Sequence, residues 1–393
     1  MTPYINTKNK ALCCGCRACE QVCSRRAISM LADEEGFLYP HVNESICNHC
    51  GACSRVCVYS ECPKLSNSKA VYAVCSKNMA ELKESSSGGV FSIIAGYILE
   101  QRGLVVGCVF DDSFCATHII ASTQNELSKM RGSKYVQSDL ADTYSKVKSH
   151  LLQNKTVLFT GTPCQIDGLY RFLGKDNPNL TTIDLICHGV PSPSLFQTYL
   201  SYLQKRENGR LIDYRFRNKA RNGWVSQGSF TIQKGNRYIT KNTSPFNDYY
   251  YYYYYLKNAI NRMNCYSCPY AKPDRIGDFS IGDYWNIQDI HPEFDCSSGA
   301  SLLLVNSAKA SHIFDVLKDR MLYLPTDIAA AKKENSNLYH TSTMPSERLT
   351  VYTRIRAIGF RETAKEDCKL SYFVPILRKL IPRPIKNFIK RLR

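Results

Sequence analysis

Cys13-Cys14-Gly15-Cys16-Arg17-Ala18-Cys19-Glu20-Gln21-Val22-Cys23 sets four cysteines at the spacing C-x2-C-x2-C-x3-C. The spacing returns 34 residues later at Cys47, Cys50, Cys53 and Cys57. Three thiolates this close wrap one cube-shaped iron–sulfur cluster from a single tight loop, so the fourth ligand has to reach in from elsewhere. A structural zinc site needs only four ligands, typically in two separated pairs, and eight thiolates in duplicated order exceed that need.

The duplicated run resembles the bacterial two-cluster ferredoxin pattern, in which each run supplies three thiolates to one [4Fe–4S] cluster and its fourth to the other. The resemblance implies one cluster on Cys13, Cys16, Cys19 and Cys57, and a second on Cys47, Cys50, Cys53 and Cys23. Ser24 and Val58 stand where that pattern carries a proline, which shapes the turn and is not a ligand. Cys14 and Cys62 are extra. Cys62 precedes Pro63 and competes with Cys57 as remote ligand; the regular spacing favours Cys57.

A chain of 393 residues with 44% hydrophobic content has length for two or three domains and ample material for a core. Nineteen cysteines would suggest disulfides in a small secreted protein, but Met1 to Lys10 contains no apolar signal region. No run nears eighteen consecutive apolar residues. These features point to metal-binding and buried thiols in a reducing cytoplasm. The net charge is +17, and Lys369 to the end holds eight Lys or Arg with no acid. With that tail set aside the chain is only moderately basic and carries no recognisable nucleic-acid module, so nucleic acid is the weaker reading.

The two cysteine runs occupy about Tyr4 to Pro63, and a polar linker follows at Lys64 to Lys69. Strands are expected at Ala70–Cys75, Gly103–Phe110, Ala116–Ser122, Thr156–Thr160 and Leu180–Ile186. Helices are expected after Ser85-Ser86-Ser87-Gly88-Gly89, at Leu140–Leu152, from Cys164 to Phe172, and from Pro193 to Lys205 behind the N-cap Ser192. Strand and helix alternating over short turns argues for a parallel, doubly wound segment. Ile212–Arg217, Ser226–Gln233 and Ser301–Val305 add strands and suggest a mixed sheet. Seven tyrosines, Tyr249 to Tyr255, read as a buried or half-buried helix beside Leu256 and Ile260.

In parallel sheets ligands gather beyond the carboxyl ends of the strands. Cys164 and Cys187 both follow such ends, and Cys265-Tyr-Ser-Cys268 adds a pair from a third segment. These four thiolates could hold one more [4Fe–4S] cluster, or Cys164 and Cys187 could be small buried residues; spacing alone does not separate the two.

Three blocks resemble the coenzyme F420-reducing hydrogenase/dehydrogenase beta-subunit family. They are Gly161-Thr-Pro-Cys164-Gln165-Ile-Asp167-Gly168-Leu169, Asp184-Leu-Ile-Cys187-His188-Gly189-Val-Pro191, and Cys265-x2-Cys268 followed by Arg275-Ile-Gly277-Asp278-Phe-Ser-Ile-Gly282-Asp283-Tyr-Trp285. Ser86 to Phe91 and Ser133 to Ser138 are similar to its N-terminal domain. The resemblance runs from Val71 to Val305 and implies FAD and a third [4Fe–4S] cluster on Cys164, Cys187, Cys265 and Cys268. The fold class expected is an α+β / α/β multidomain chain, a ferredoxin-like two-cluster domain followed by a mixed-sheet flavin-binding α/β domain. Its divisions are a two-cluster domain over 1–64, family domains over 70–150 and 151–330, and a C-terminal extension over 331–393.

The turn Ser87, Gly88, Gly89 offers backbone N–H groups and a helix start for a phosphate, or is an ordinary N-cap. Lys134 could pair with a pyrophosphate or be solvated. Thr162, Gln165 and His188 lie at the rim expected for the flavin, with His188 the proton donor there and the catalytic candidate. Thr162 and Gln165 could equally be turn and helix-start residues, and His188 a plain hydrogen-bonded histidine. Asp278 and Asp283 are either turn residues or substrate contacts. Single-electron clusters need a flavin to serve an acceptor of electron pairs. The expected function is therefore an iron–sulfur flavoenzyme that takes electrons from a redox partner protein and reduces a small molecule. The rival is an electron-transfer subunit feeding a catalytic partner. Bacterial proteins similar to this architecture often accompany surface-polysaccharide genes, which implies a sugar-linked substrate. In the tail, Pro384 starts a short helix with Ile385, Phe388, Ile389 and Leu392 on one face and Lys386, Lys390, Arg391 and Arg393 elsewhere. Such a helix can contact an anionic membrane surface or dock on the protein's own core.

Overall fold

The computed structural model describes residues 2–220, 223–294, 297–331 and 335–368. The basic tail expected to form the amphipathic helix lies outside the described residues. No helix among those described is long and apolar enough to cross a membrane.

The segment between the two cysteine runs is an antiparallel hairpin of β1 (Ile28–Ala32) and β2 (Leu38–Val42). The chain then builds β3 (Ala70–Ser76), β4 (Leu104–Phe110), β5 (Ala116–Ala121), β6 (Val157–Gly161) and β7 (Leu180–Leu185). A small sheet of β8 (Arg210–Arg215), β9 (Ser229–Lys234) and β10 (Arg237–Asn242) comes next, and β11 (Phe279–Asp283), β12 (Ser301–Val305) and β13 (Met321–Thr326) return to the large one. The large sheet runs β13-β3-β12-β11-β7-β6-β4-β5. Its centre, β4, β6, β7 and β11, is parallel, while β5 on one side and β12, β3 and β13 on the other are antiparallel additions.

β6 and β7 carry no exposed residue except Leu185, as central parallel strands covered on both faces should. Helix Val90–Glu100 packs Val90, Ile93, Ile94 and Ile98 against the sheet. Each such side chain contributes about 1.5–3 kcal/mol by leaving water.

Two expectations are corrected here. The strands expected at 212–217 and 226–233 do not enter the large sheet. They form β8 and β9 of a separate antiparallel meander, in which β9 pairs with β8 on one side and, across a tight turn, with β10 on the other. β11 and β13 were not expected as strands; β11 hides in the motif Phe279-Ser-Ile-Gly-Asp283, whose glycine and aspartate weaken any strand signal. The tyrosine run is a π-helix, Tyr250–Tyr255, with Tyr250, Tyr251, Tyr254 and Tyr255 buried in an aromatic core around Phe196 and Phe216.

The central strand ends are held by a fully buried ion pair. Arg275 faces Asp184 with side-chain exposures of 1% and 0%. Asp184 Oδ2 also accepts from Gly277 N–H at 2.8 Å, and Arg275 donates to the carbonyls of Tyr270 and Leu185. Asp184→Ala leaves the guanidinium uncompensated and should cost about 3–5 kcal/mol, whereas Asp184→Ala/Arg275→Met should cost less. Urea unfolding of the two variants checks the order; equal losses would mean that the pair is not what the strand ends depend on.

Candidate functional site

The register of the central strands explains why distant cysteines meet. Gly161 at the end of β6 pairs with Asp184 on β7, and Cys164 and Cys187 each follow three residues later. Both therefore emerge on one rim. The Cys265–Cys268 segment is tied to this rim by the chain just ahead of it, where Asn261 bridges Pro191 and Arg262 N–H donates to Val190 O at 2.9 Å. The electrostatic neighbours of Cys265 are Cys187, Cys268 and Cys164. The structure thus brings the four residues of the expected third cluster together.

The first cysteine run borders a small cavity of ≈ 30 Å³ lined by Cys13, Cys16, Cys19 and Cys57, together with Cys14. Cys62 is exposed and away from this wall. Cys47, Cys50 and Cys53 sit on a more open loop, with Cys50 exposed. Around Cys47 the neighbouring ligand-type atoms are those of exposed Glu44 and His49, all within 4.8 Å. Cys23 Sγ accepts from Ala27 N–H at 3.3 Å, and no hydrogen bond joins it to Cys47, Cys50 or Cys53 among the described residues.

The donor sets fit a cluster better than one metal ion. Four sulfurs around one zinc at about 2.3 Å lie about 3.8 Å apart. Among the described residues no three cysteine sulfurs lie within 4.8 Å of one another. Burial pushes the thiols of Cys57 and Cys187 up to about 12 and that of Cys268 to about 11. Thiolates in such surroundings need a positive centre among them, which iron would supply.

Next to the third thiol set opens a cavity of ≈ 340 Å³. Ser87, Gly89, Lys134, Thr162, Gln165 and His188 all line it, but Gly88 does not. Gly88 N–H donates to Ser301 Oγ at 2.9 Å, and a Cβ there would lie 2.0 Å from Val74 O. Its role is to let the turn press on the sheet, so its N–H is not free for a phosphate. Lys134 Nζ turns to four carbonyls, those of Lys129, Met130, Arg131 and Gly132, at 3.0–3.2 Å. It caps a helix end, and burial lowers its pKa to about 8. Gln165 Oε1 accepts from Thr162 N–H at 3.0 Å, which is helix-start chemistry, and Thr162 Oγ1 lies 3.2 Å from Cys164 Sγ. His188 lines the cavity, and desolvation by the surrounding protein lowers its pKa. Asp278 is structural, binding Thr182 and Ser307, whereas Asp283 lines the cavity and pairs with Arg217 at 2.9 Å.

Three residues enter the site without having been singled out for it. Cys14 lines both cavities, and its thiol interacts electrostatically with Cys16 on one side and Cys164 on the other. Sequence marked it only as surplus. His118 on β5 is buried at the cavity wall; its Nε2–H donates to Thr160 O at 3.0 Å, Nδ1 has no partner, and burial lowers its pKa to about 4. The clue was a histidine inside an otherwise apolar strand. Arg262 is buried against the first cysteine run, three residues before Cys265. At the contact between the two parts, a Cβ on Gly168 would lie 3.1 Å from Cys16 Sγ and 2.8 Å from Tyr144 Oη, so the glycine permits the close approach without displacing either.

The comparisons with known proteins follow this division. Residues 12–60 match a 4Fe-4S dicluster domain. Residues 71–144 match the N-terminal model, and residues 154–329 the C-terminal model, of coenzyme F420 hydrogenase/dehydrogenase, beta subunit. The chain is similar to an uncharacterized protein of Methanocaldococcus jannaschii, 25% identical over 212 residues, covering 45% of this chain. It spans 58% of the length of that relative. Among solved structures it is similar to a chain of the xenon-derivatized F420-reducing [NiFe] hydrogenase complex from Methanosarcina barkeri, at 15% identity and a TM-score of 0.47. That match covers 76% of this chain and 95% of the other.

Anaerobic reconstitution should load about twelve irons per chain, and Cys164→Ser should leave about eight with the ferredoxin-type signal intact. Iron and sulfide assays check this. Full iron in the variant would remove the third cluster as assigned.

Proposed function

This chain belongs to the coenzyme F420 hydrogenase/dehydrogenase beta-subunit family, with an iron–sulfur dicluster domain ahead of it, and on that premise we propose an electron-transferring flavoenzyme. It would take single electrons from a low-potential redox protein and deliver pairs to a small organic acceptor at FAD. When bound, the clusters carry electrons one at a time and the flavin holds one or two, which matches such a donor to such an acceptor. Two donor oxidations supply the two electrons, and the acceptor takes up protons from the site.

One observation carries the reading: Cys14 is shared by the first thiol set and the wall of the 340 Å³ cavity. The order of transfer would run from the exposed Cys47–Cys53 loop, where a partner can dock, to Cys13, Cys16, Cys19 and Cys57. It would continue past Cys14 to Cys164, Cys187, Cys265 and Cys268, and end in the cavity. The cavity volume is within the range of small-molecule and cofactor sites. Ser87 and Gly89 would border the phosphates, and Thr162 and Gln165 the ring system. His188 would hold a proton at the rim for the acceptor, with its carbonyl fixed by Asn261 Nδ2 at 3.1 Å and Ser342 Oγ at 2.7 Å.

The exposed Cys50 favours a second reading as well, a subunit that relays electrons to a catalytic partner. Protein purified alone should release FAD on denaturation and reduce an artificial acceptor; chromatography and stopped-flow reduction check this, with coenzyme F420 included among the acceptors. Cluster-loaded protein without flavin would sink the flavoenzyme, and obligate co-purification would favour the relay. His188→Ala should lower turnover about 10²- to 10⁴-fold while flavin and iron contents stay unchanged. Unchanged turnover would remove His188 from the chemistry.

A further inference from the structure

Arg262 has 0% exposure, and no carboxylate pairs with it among the described residues. Other well-buried arginines each face an acid: Arg275 faces Asp184, Arg348 faces Glu35, Arg217 faces Asp283 and Arg171 faces Asp167. The guanidinium of Arg262 instead donates to Cys13 O at 2.8 Å, Gln137 Oε1 at 3.1 Å and Leu38 O at 2.9 Å. Its remaining recorded bond runs from Nη2 to Cys13 Sγ at 3.5 Å, and its face lies 4.0 Å from the Tyr39 ring centroid.

A charge taken out of water needs an opposite charge nearby, because neutral acceptors do not replace the lost hydration. Carbonyls, an amide and aromatic faces carry no net charge. The Cys13 sulfur is the one contact that becomes anionic when iron binds. Four thiolates leave a [4Fe–4S] cluster net negative, and reduction adds one more negative charge. A fixed cation and an N–H···S bond at a ligand both favour that reduced state, since net charge and hydrogen bonds to sulfur set the potential.

We propose that Arg262 is the resident counter-charge of the cluster on Cys13, Cys16, Cys19 and Cys57, and raises its reduction potential above what the thiolates alone would set. It acts through Cys13 and is a positioning residue. Its backbone serves the neighbouring set, because Arg262 O accepts from Cys265 N–H and its own N–H donates to Val190 O, both at 2.9 Å. One residue therefore braces two thiol sets. The inference rests on the reading that a cluster occupies the first set.

The test is an EPR-monitored redox titration of the reconstituted full chain with Arg262→Met and Arg262→Lys. In Arg262→Met one cluster couple should fall in potential by about 59 mV or more for its one electron, so that its oxidised-to-reduced ratio at fixed potential rises at least tenfold. The other couples should not move, and Arg262→Lys, which keeps the charge, should recover part of the shift. An unmoved couple in iron-replete Arg262→Met overturns the inference. Should that variant lose iron, wild-type chain labelled with ¹⁵N-arginine decides: a ¹⁵N hyperfine coupling to a reduced cluster supports the contact, and its absence overturns it. Wild-type chain that holds no cluster on the first cysteine run would instead defeat the underlying reading.

Discussion

The rest of the site depends on one buried ion pair. Asp184 and Arg275 come from segments 91 residues apart and meet with almost no exposure to water. Asp184 is the next-to-last residue of β7, three residues before Cys187, and Arg275 lies between Cys268 and β11. A buried pair of this kind is a weak source of net stability but a strong geometric constraint, since either charge alone would be intolerable there. It also explains two residues of the family blocks that touch no cofactor candidate.

A second constraint joins the two-cluster domain to the large sheet. Cys16 lies against Gly168 of the helix Pro163–Leu173, whose first turn carries Cys164. Arg348 holds Glu35 of the hairpin loop, and Gln137 Nε2 holds Cys14 O at 2.9 Å. These contacts are polar, buried and specific. They set the two thiol sets side by side with Cys14 between them, which is the arrangement that one-electron transfer over short distances requires.

The aromatic core has a different task. Tyr250, Tyr251, Tyr254 and Tyr255 pack with Phe196, Tyr199 and Phe216 behind the cavity, and Tyr135 stacks on Tyr251 at 5.3 Å. Large rings with polar tips fill space while their hydroxyls reach partners, as Tyr250 Oη does at Tyr135 O. This clamps the segment from Ser133 to Ser138, which forms one side of the cavity wall.

Local chemistry is what the sequence determined by itself. The spacing of Cys13 to Cys23 and of Cys47 to Cys57 declares iron–sulfur binding, because a tight loop of thiolates is a local device. Central strands and their helices were legible from periodicity, since β6, β7 and the helix from Pro193 are covered in a regular way. Only the tertiary structure decided which groups meet. β8 and β9 left the large sheet because pairing partners are chosen by neighbours, not by propensity. By sequence Gly88 stood between a phosphate contact and an N-cap turn, and Lys134 between a phosphate contact and a solvated lysine; their hydrogen bonds go to Ser301 and to a helix end. Cys14 and Arg262 carried no signal, because a surplus cysteine and a lone arginine become distinctive only when burial removes water and leaves a neighbour's sulfur as the available partner.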